Sequence, residues 1–113
     1  MYPLSKQAEF VTNVDKLRDT SSEVATGFRT FRQIIEKHGP LDDKQRELCL
    51  VTGFTATRNE GGFRVHVNRS RAAGATVVEL EQVVLFTLGT TLGLAPVVEA
   101  LGWLHDELGF AED

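Results

Sequence analysis

Three histidines are the side chains of this 113-residue chain best suited to move a proton near neutral pH. His66 lies between Phe63 and Val67 on a segment with helical spacing, so it borders an apolar helix face. Such a histidine either forms a hydrogen bond within the core or lines a cavity, and the sequence leaves both interpretations open. His38 lies near a predicted helix end and is interpreted as structural. His105 lies beside acidic residues and is interpreted as a solvated surface residue. His66 is therefore the candidate catalytic residue.

Two carboxylates are candidate partners of His66. Glu60 lies shortly before it, and Glu47 lies on the preceding predicted helix. If these two helices are antiparallel neighbours joined by a short turn, Glu47 and His66 come to a similar height. A carboxylate beside an imidazole fixes its tautomer and makes it a better base, as general acid–base catalysis requires. The alternative for Glu47 is a surface ion pair with Lys44.

Arginines cluster on the same two predicted helices. Arg58, Arg64, Arg69 and Arg71 fall within fourteen residues. A guanidinium holds a carboxylate through two parallel hydrogen bonds and stays charged when it is partly buried. The cluster therefore predicts either a site for an acidic substrate or a solvated basic face.

Cys49 is the single cysteine of the chain. One thiol excludes an intrachain disulfide, a CxxC redox pair and a zinc site built on cysteines. Its neighbours Leu48 and Leu50 predict a small buried side chain rather than a nucleophile. The three histidines are dispersed along the chain, so no metal site is predicted.

Helical periodicity along the whole chain predicts an all-α protein, a bundle of about six helices in a single domain over residues 1–113. Proline, glycine and capping residues mark the helix ends. The predicted elements are a first helix over Ser5–Asp19, a second from a capping box at Thr20–Glu23 to Lys37–Pro40, a third from the Asp42 cap to Asn59, a fourth over Phe63–Ala73 after a break at Gly61-Gly62, a fifth after a capping box at Thr76–Glu79, and a sixth from Pro96.

The net charge and the hydropathy of the chain indicate which partners and which location are compatible with the sequence. Twelve Lys and Arg against sixteen Asp and Glu give a net charge of −4, which disfavours nucleic acid or an anionic membrane as partner. The first residues lack the apolar core of a secretory signal, so we expect a cytoplasmic protein. The stretch Val83–Val98 is short for a membrane span and predicts a buried helix. Because it is apolar nearly all round, it also predicts a homo-oligomer.

Four segments in order resemble the carboxymuconolactone decarboxylase family, which shares the alkylhydroperoxidase-D-like fold. They are Leu41–Leu48, His66, Ala72–Thr76 with Glu79-Leu80, and Gly93-Leu94-Ala95-Pro96. The last is similar to the Gly-x-Pro turn of that family with one residue added. The resemblance covers Leu41–Leu108 and implies an all-α fold that forms intertwined dimers or trimers, which often assemble to hexamers.

The peroxidase branch of that family carries a CxxC before the histidine. Here the two cysteine positions are Asn59 and Gly62, while Glu47 and His66 match the glutamate and histidine of its proton relay. Disulfide-cycling chemistry is therefore excluded, because no thiolate is present at either position.

The lactone decarboxylase branch lacks those cysteines and is the nearer match through Phe63–Val67. It implies a lyase that needs no cofactor and acts on a small carboxylate or lactone. His66 would be the general acid/base and Glu47 its partner, while Arg64, Arg69 or Arg71 would hold the substrate carboxylate. That branch typically carries Gln and Tyr before the Gly-x-Pro turn. This chain instead has Phe86, Thr87, Thr90 and Thr91, so the identity of the substrate stays open. The alternatives are a non-catalytic binding or assembly protein and, last, a peroxidase that uses Cys49 alone.

Overall fold

A computed structural model describes residues 13–109 and confirms the all-α prediction. Between these residues the chain forms six helices and, apart from an isolated bridge between Leu88 and Leu92, no extended pairing. The helices are α1 Asn13–Thr20, α2 Ser22–Glu36, α3 Asp43–Ala56, α4 Glu60–Ala72, α5 Val77–Leu85 and α6 Leu94–Leu108. The start of the predicted helix Ser5–Asp19 lies outside the described residues.

The chain divides into two compact units, Met1–Leu41 and Asp42–Asp113. In the first unit, α1 and α2 pack against each other. The cap of α2 is Ser21, whose hydroxyl accepts the backbone N–H of Val24 at 3.1 Å. The predicted capping box from Thr20 is therefore wrong. Thr20 is the last residue of α1, and Ser21 has the extended backbone that a cap requires.

Helix α2 carries the predicted apolar face, and in the structure that face is exposed. Its large apolar side chains are Val24, Phe28, Phe31, Ile34 and Ile35. The helix ends at Glu36 and Lys37 is its C-terminal cap, so His38 lies beyond the helix rather than in its last turn.

The second unit begins with the predicted capping box of α3. Asp42 accepts the backbone N–H of Gln45 at 2.8 Å, and the Gln45 side chain accepts the backbone N–H of Asp42 at 3.1 Å. The break between α3 and α4 falls at residues 57–59, before the two glycines. There Arg58 takes the left-handed conformation, with φ of 56°. Gly61 and Gly62 therefore belong to the first turn of α4, contrary to the prediction.

Helix α5 begins with the predicted capping box between Thr76 and Glu79. It ends at Leu85, and residues 86–93 lead to α6 at Leu94, so Pro96 lies in the first turn of α6. The prediction of one buried helix over Val83–Val98 is therefore wrong. The glycines and threonines of this stretch form the connection instead. No helix among residues 13–109 is long and apolar enough to cross a membrane.

The core of the second unit draws on α3, α4, α5 and α6. Its buried apolar side chains are Val51, Phe63, Val67, Ala75, Leu80, Val84, Val97, Ala100 and Leu104. Phe63 of α4 meets Trp103 of α6 edge to face, with ring centroids 5.6 Å apart. Helix α4 therefore packs on α3 on one side and on α6 on another. The helix that each polar side chain of α4 can contact depends on the side of α4 from which it projects.

Candidate active site

A carboxylate and an imidazole meet between α3 and α4. His66 Nδ1 lies 2.7 Å from Glu47 Oε1. The three-residue turn at 57–59 allows this contact, because it folds α4 back along α3 and brings residues far apart in sequence to the same height. The side chains are 15% and 13% exposed, so the pair is largely shielded yet reachable from solvent.

Glu47, rather than Glu60, is the partner of His66. Glu60 lies in the first turn of α4 and accepts a hydrogen bond from Arg64 Nε at 2.9 Å, one turn further along the same helix. The alternative for Glu47, an ion pair with Lys44, is not formed, since Lys44 Nζ binds Glu79 of α5 at 2.9 Å.

The hydrogen bond to Glu47 determines which nitrogen of His66 is available. An ionised carboxylate only accepts hydrogen bonds, so Nδ1 of the imidazole carries the proton and donates it. Nε2 is then the nitrogen that can accept or deliver a proton. On its face, the imidazole stacks on Phe54, with ring centroids 5.1 Å apart and 17° between the planes. Glu47 thus holds one edge of the imidazole ring and Phe54 covers one face.

Arg64 lies in a network of three carboxylates. Besides Glu60, its Nη1 donates to Asp106 at 2.7 Å and to Glu107 at 3.0 Å, both on α6. Desolvation by itself lowers the pKa of this guanidinium, but the hydrogen bonds to the carboxylates outweigh it and raise the pKa above its ordinary value. Arg64 therefore joins α4 to α6, away from the Glu47–His66 pair.

The other two arginines predicted to hold substrate differ in surroundings. Arg69 is exposed, makes no side-chain hydrogen bond or ion pair within residues 13–109, and follows His66 by three positions. Residues at that spacing are neighbours on a helix surface. Arg71 donates from Nη1 to the backbone carbonyl of Ala75 at 2.8 Å, which ties down the turn after α4. Arg58 pairs with Glu99 at 3.3 Å in an exposed position.

Glu107 is the ionisable residue that sequence reasoning missed. Its side chain is only 3% exposed, and besides Arg64 it accepts a hydrogen bond from Asn68 Nδ2 at 2.7 Å. Arg64 and Asn68 stand one turn apart on α4, so both reach the same carboxylate. The only signal in the sequence was its position three residues after Leu104, on the apolar face of the last helix.

Cys49 is exposed, so the prediction of a buried thiol is wrong. It shares the solvent side of α3 with Gln45 and Gly53, four residues before and after it, while Val51 and Thr55 face the core. His105 is exposed as predicted and pairs with Glu81 at 2.9 Å. Within residues 13–109, no group of three or more His, Cys, Asp or Glu side chains is arranged to hold a metal ion.

Asn59, which the resemblance places at one of the two cysteine positions of the peroxidase branch, has a structural contact in this chain. Asn59 is the cap of α4, and its Oδ1 accepts the backbone N–H of Gly62 at 2.9 Å. The described residues thus form an all-α fold in which a Glu–His pair lies between consecutive helices.

The model of the carboxymuconolactone decarboxylase family matches residues 22–106, and the chain belongs to this family. The family resemblance is thereby confirmed, over a range that begins at the first residue of α2 and ends at residue 106. No curated protein and no solved structure matches the chain.

Proposed function

We propose that this protein is a lyase that decarboxylates a small carboxylate-bearing lactone by general acid–base catalysis without a cofactor. The observation that carries the proposal is the 2.7 Å contact between Glu47 and His66 in a chain of the carboxymuconolactone decarboxylase family. In this pair, His66 can carry a proton on Nε2 because Nδ1 is bound to Glu47, and its side chain is partly exposed to solvent.

In the proposed reaction, the bond between the substrate carbon and its carboxylate breaks and CO2 leaves. The electron pair moves into the conjugated lactone carbonyl, which is the electron sink. Protonated Nε2 of His66 then delivers its proton to the carbon, and the imidazole regains one proton from solvent. Glu47 accepts the hydrogen bond from Nδ1 throughout and stabilises the imidazolium. One proton is consumed for each CO2 released.

Arg69 is the arginine that we propose to hold the substrate carboxylate. It stands beside His66 on α4 and its guanidinium is exposed, whereas Arg64 already binds three carboxylates. A guanidinium at this position would bind the anionic substrate and orient it toward Nε2. Arg71, bound to Ala75, is the second choice.

The test is turnover of carboxymuconolactone, measured as CO2 release by wild type and by His66→Gln. Glutamine keeps a polar side chain of similar size but cannot carry the proton, so we expect the rate to fall by about a hundredfold or more. His105→Gln is the matched control, because His105 also pairs with a glutamate but its side chain is exposed. An undiminished rate in His66→Gln would show that the assignment of His66 is wrong.

A non-catalytic binding or assembly role is the second candidate. It is favoured by the exposed apolar side chains of the second unit, among them Phe86, Leu94 and Val98. Calorimetric titration with carboxymuconolactone separates the two. Binding without CO2 release, with the same affinity in wild type and His66→Gln, would favour this second role over the lyase.

A further inference from the structure

Gly62 of α4 lies against the ring of Phe54. A Cβ atom at Gly62 would come within 2.5 Å of Phe54 Cδ1 and Cε1 and 2.8 Å of Cζ. Carbon atoms that are not bonded normally approach no closer than about 3.5 Å, so no larger residue fits while the ring stays in place. At the adjacent Gly61, a Cβ would meet only Asn59 Oδ1 at 3.8 Å, an ordinary contact.

Backbone conformation does not explain a glycine at this position. Gly62 is helical and is not among the residues with positive φ, so any residue could adopt its backbone angles. Glycine is moreover less favourable than alanine within a helix. Glycine is required at this position because the Phe54 ring occupies the space that a side chain would fill.

The same phenyl ring stacks on His66, one helical turn after Gly62. Rotation of an imidazole about its Cβ–Cγ bond is soft, and a single hydrogen bond at Nδ1 fixes one atom while the plane can still tilt. A nearly parallel ring at 5.1 Å restricts that tilt. Glu47 and Phe54 therefore hold the imidazole by different means, one at an edge and one at a face.

We propose that Phe54 and Gly62 are positioning residues of the Glu47–His66 site: Gly62 provides the space in which Phe54 lies, and Phe54 fixes the plane of the imidazole so that Nε2 keeps one direction. This inference rests on the proposed function, because it describes what orients the proton carrier. A side chain at Gly62 and the ring of Phe54 exclude each other.

The first test compares the proton and nitrogen NMR signals of the His66 imidazole in four variants, without substrate. The signals are assigned by their loss in His66→Gln. Protons stacked on a phenyl ring resonate upfield, so we expect Phe54→Leu and Gly62→Ala to shift the His66 ring protons downfield. Gly61→Ala and Phe86→Leu are the matched controls and should leave them in place, since a Cβ at Gly61 would meet only Asn59 Oδ1 and the ring contact of His66 within residues 13–109 is with Phe54. If Gly62→Ala matches Gly61→Ala, or Phe54→Leu matches Phe86→Leu, the proposal is wrong.

A double-mutant cycle covers the case in which Gly62→Ala folds poorly. The unfolding midpoint should fall in Gly62→Ala relative to Gly61→Ala, and this difference should disappear when Phe54 is also replaced by alanine, because the clash is then relieved. A loss that persists without the ring would overturn the steric argument. Both measurements are made without substrate, so they succeed or fail independently of the turnover of His66→Gln.

With active protein, the same variants distinguish positioning from a general structural role. We expect Gly62→Ala to lower kcat with little change in KM, because the proton carrier is misoriented while the arginine that binds substrate is intact. Gly61→Ala should keep the wild-type values of both. Equal falls in kcat for the two alanine variants would contradict a specific role for Gly62.

Discussion

Arg64 and His66 stand two positions apart on α4, and this spacing separates their roles. Two residues span about 200° of a helix, so the two side chains leave α4 on nearly opposite sides. His66 meets Glu47 of α3, and Arg64 meets Asp106 and Glu107 of α6. The sequence predicted both for one site. Helical geometry alone was enough to separate them, and it favours Arg69 as the neighbour of His66.

We expect Arg64→Met to destabilise the protein strongly. Methionine keeps the apolar part of the side chain but removes the ion pair with the buried carboxylate of Glu107, and breaking a buried ion pair costs about 3 kcal/mol. Urea denaturation at neutral pH measures the change in free energy of unfolding. Arg58→Met removes an exposed pair with Glu99 and should cost about 1 kcal/mol or less. Equal effects of the two substitutions would contradict a structural role for the Arg64 network.

The partner of His66 was predictable because it depended on two local facts, a short turn and consecutive helices. Once α4 folds back on α3, few residues of α3 can reach His66, and Glu47 is the carboxylate at the right height. Phe54 and Glu107 were not predictable in the same way. Their contacts depend on how side chains fill space between helices, which residue spacing along one chain does not specify.

At the scale of the elements, helix starts were predicted correctly where one polar residue follows a clear break. Asp42 after Pro40 and Thr76 after Gly74 both form the expected capping boxes. The start of α2 was misplaced because consecutive hydroxyl residues offer several caps, and only the backbone of Ser21 decides between them. Glycine was overrated as a helix breaker at Gly61 and Gly62, where Asn59 caps the helix and the glycines follow it.

The start of α5 provides a prediction of pH dependence. The backbone N–H of Thr76 and the ammonium of Lys44 both donate to Glu79, and these hydrogen bonds hold the pKa of its carboxyl below the ordinary 4.5. A pKa lowered in the folded state means that the carboxylate stabilises the fold fully above pH 4.5 and that this contribution is lost as the pH falls through the lowered pKa.

Glu79→Gln keeps an acceptor for the Thr76 N–H but cannot ionise. The wild type should therefore be more stable than Glu79→Gln at neutral pH, and the gap should close as the pH falls below the lowered pKa. Chemical denaturation at a series of pH values measures this gap. Lys44→Met should narrow the gap without removing it, because the hydrogen bond from Thr76 remains. A gap that is constant with pH would show that the carboxylate of Glu79 is not responsible.

At the scale of the whole molecule, many large apolar side chains are exposed to solvent. They are concentrated on α2 of the first unit and, in the second, around the end of α5 and the start of α6. Leu94 is 67% exposed and Ile34 is 64% exposed. Exposed apolar surface of this kind is typical of subunit interfaces. The family match runs from α2 through α6, so both sets of side chains belong to the matched region.

We expect the protein to be a homo-oligomer, a trimer or a hexamer, whose interface covers these side chains. Sedimentation equilibrium should give the mass of three or six chains. Leu94→Gln places a polar amide at the first residue of α6 and should shift the protein toward smaller species, because burying an amide without a partner is unfavourable. Thr91→Gln, an exposed polar residue three positions earlier, is the matched control and should leave the mass unchanged. A monomeric wild type would contradict the oligomer, and a Leu94→Gln protein with the wild-type mass at all concentrations would place its interface elsewhere.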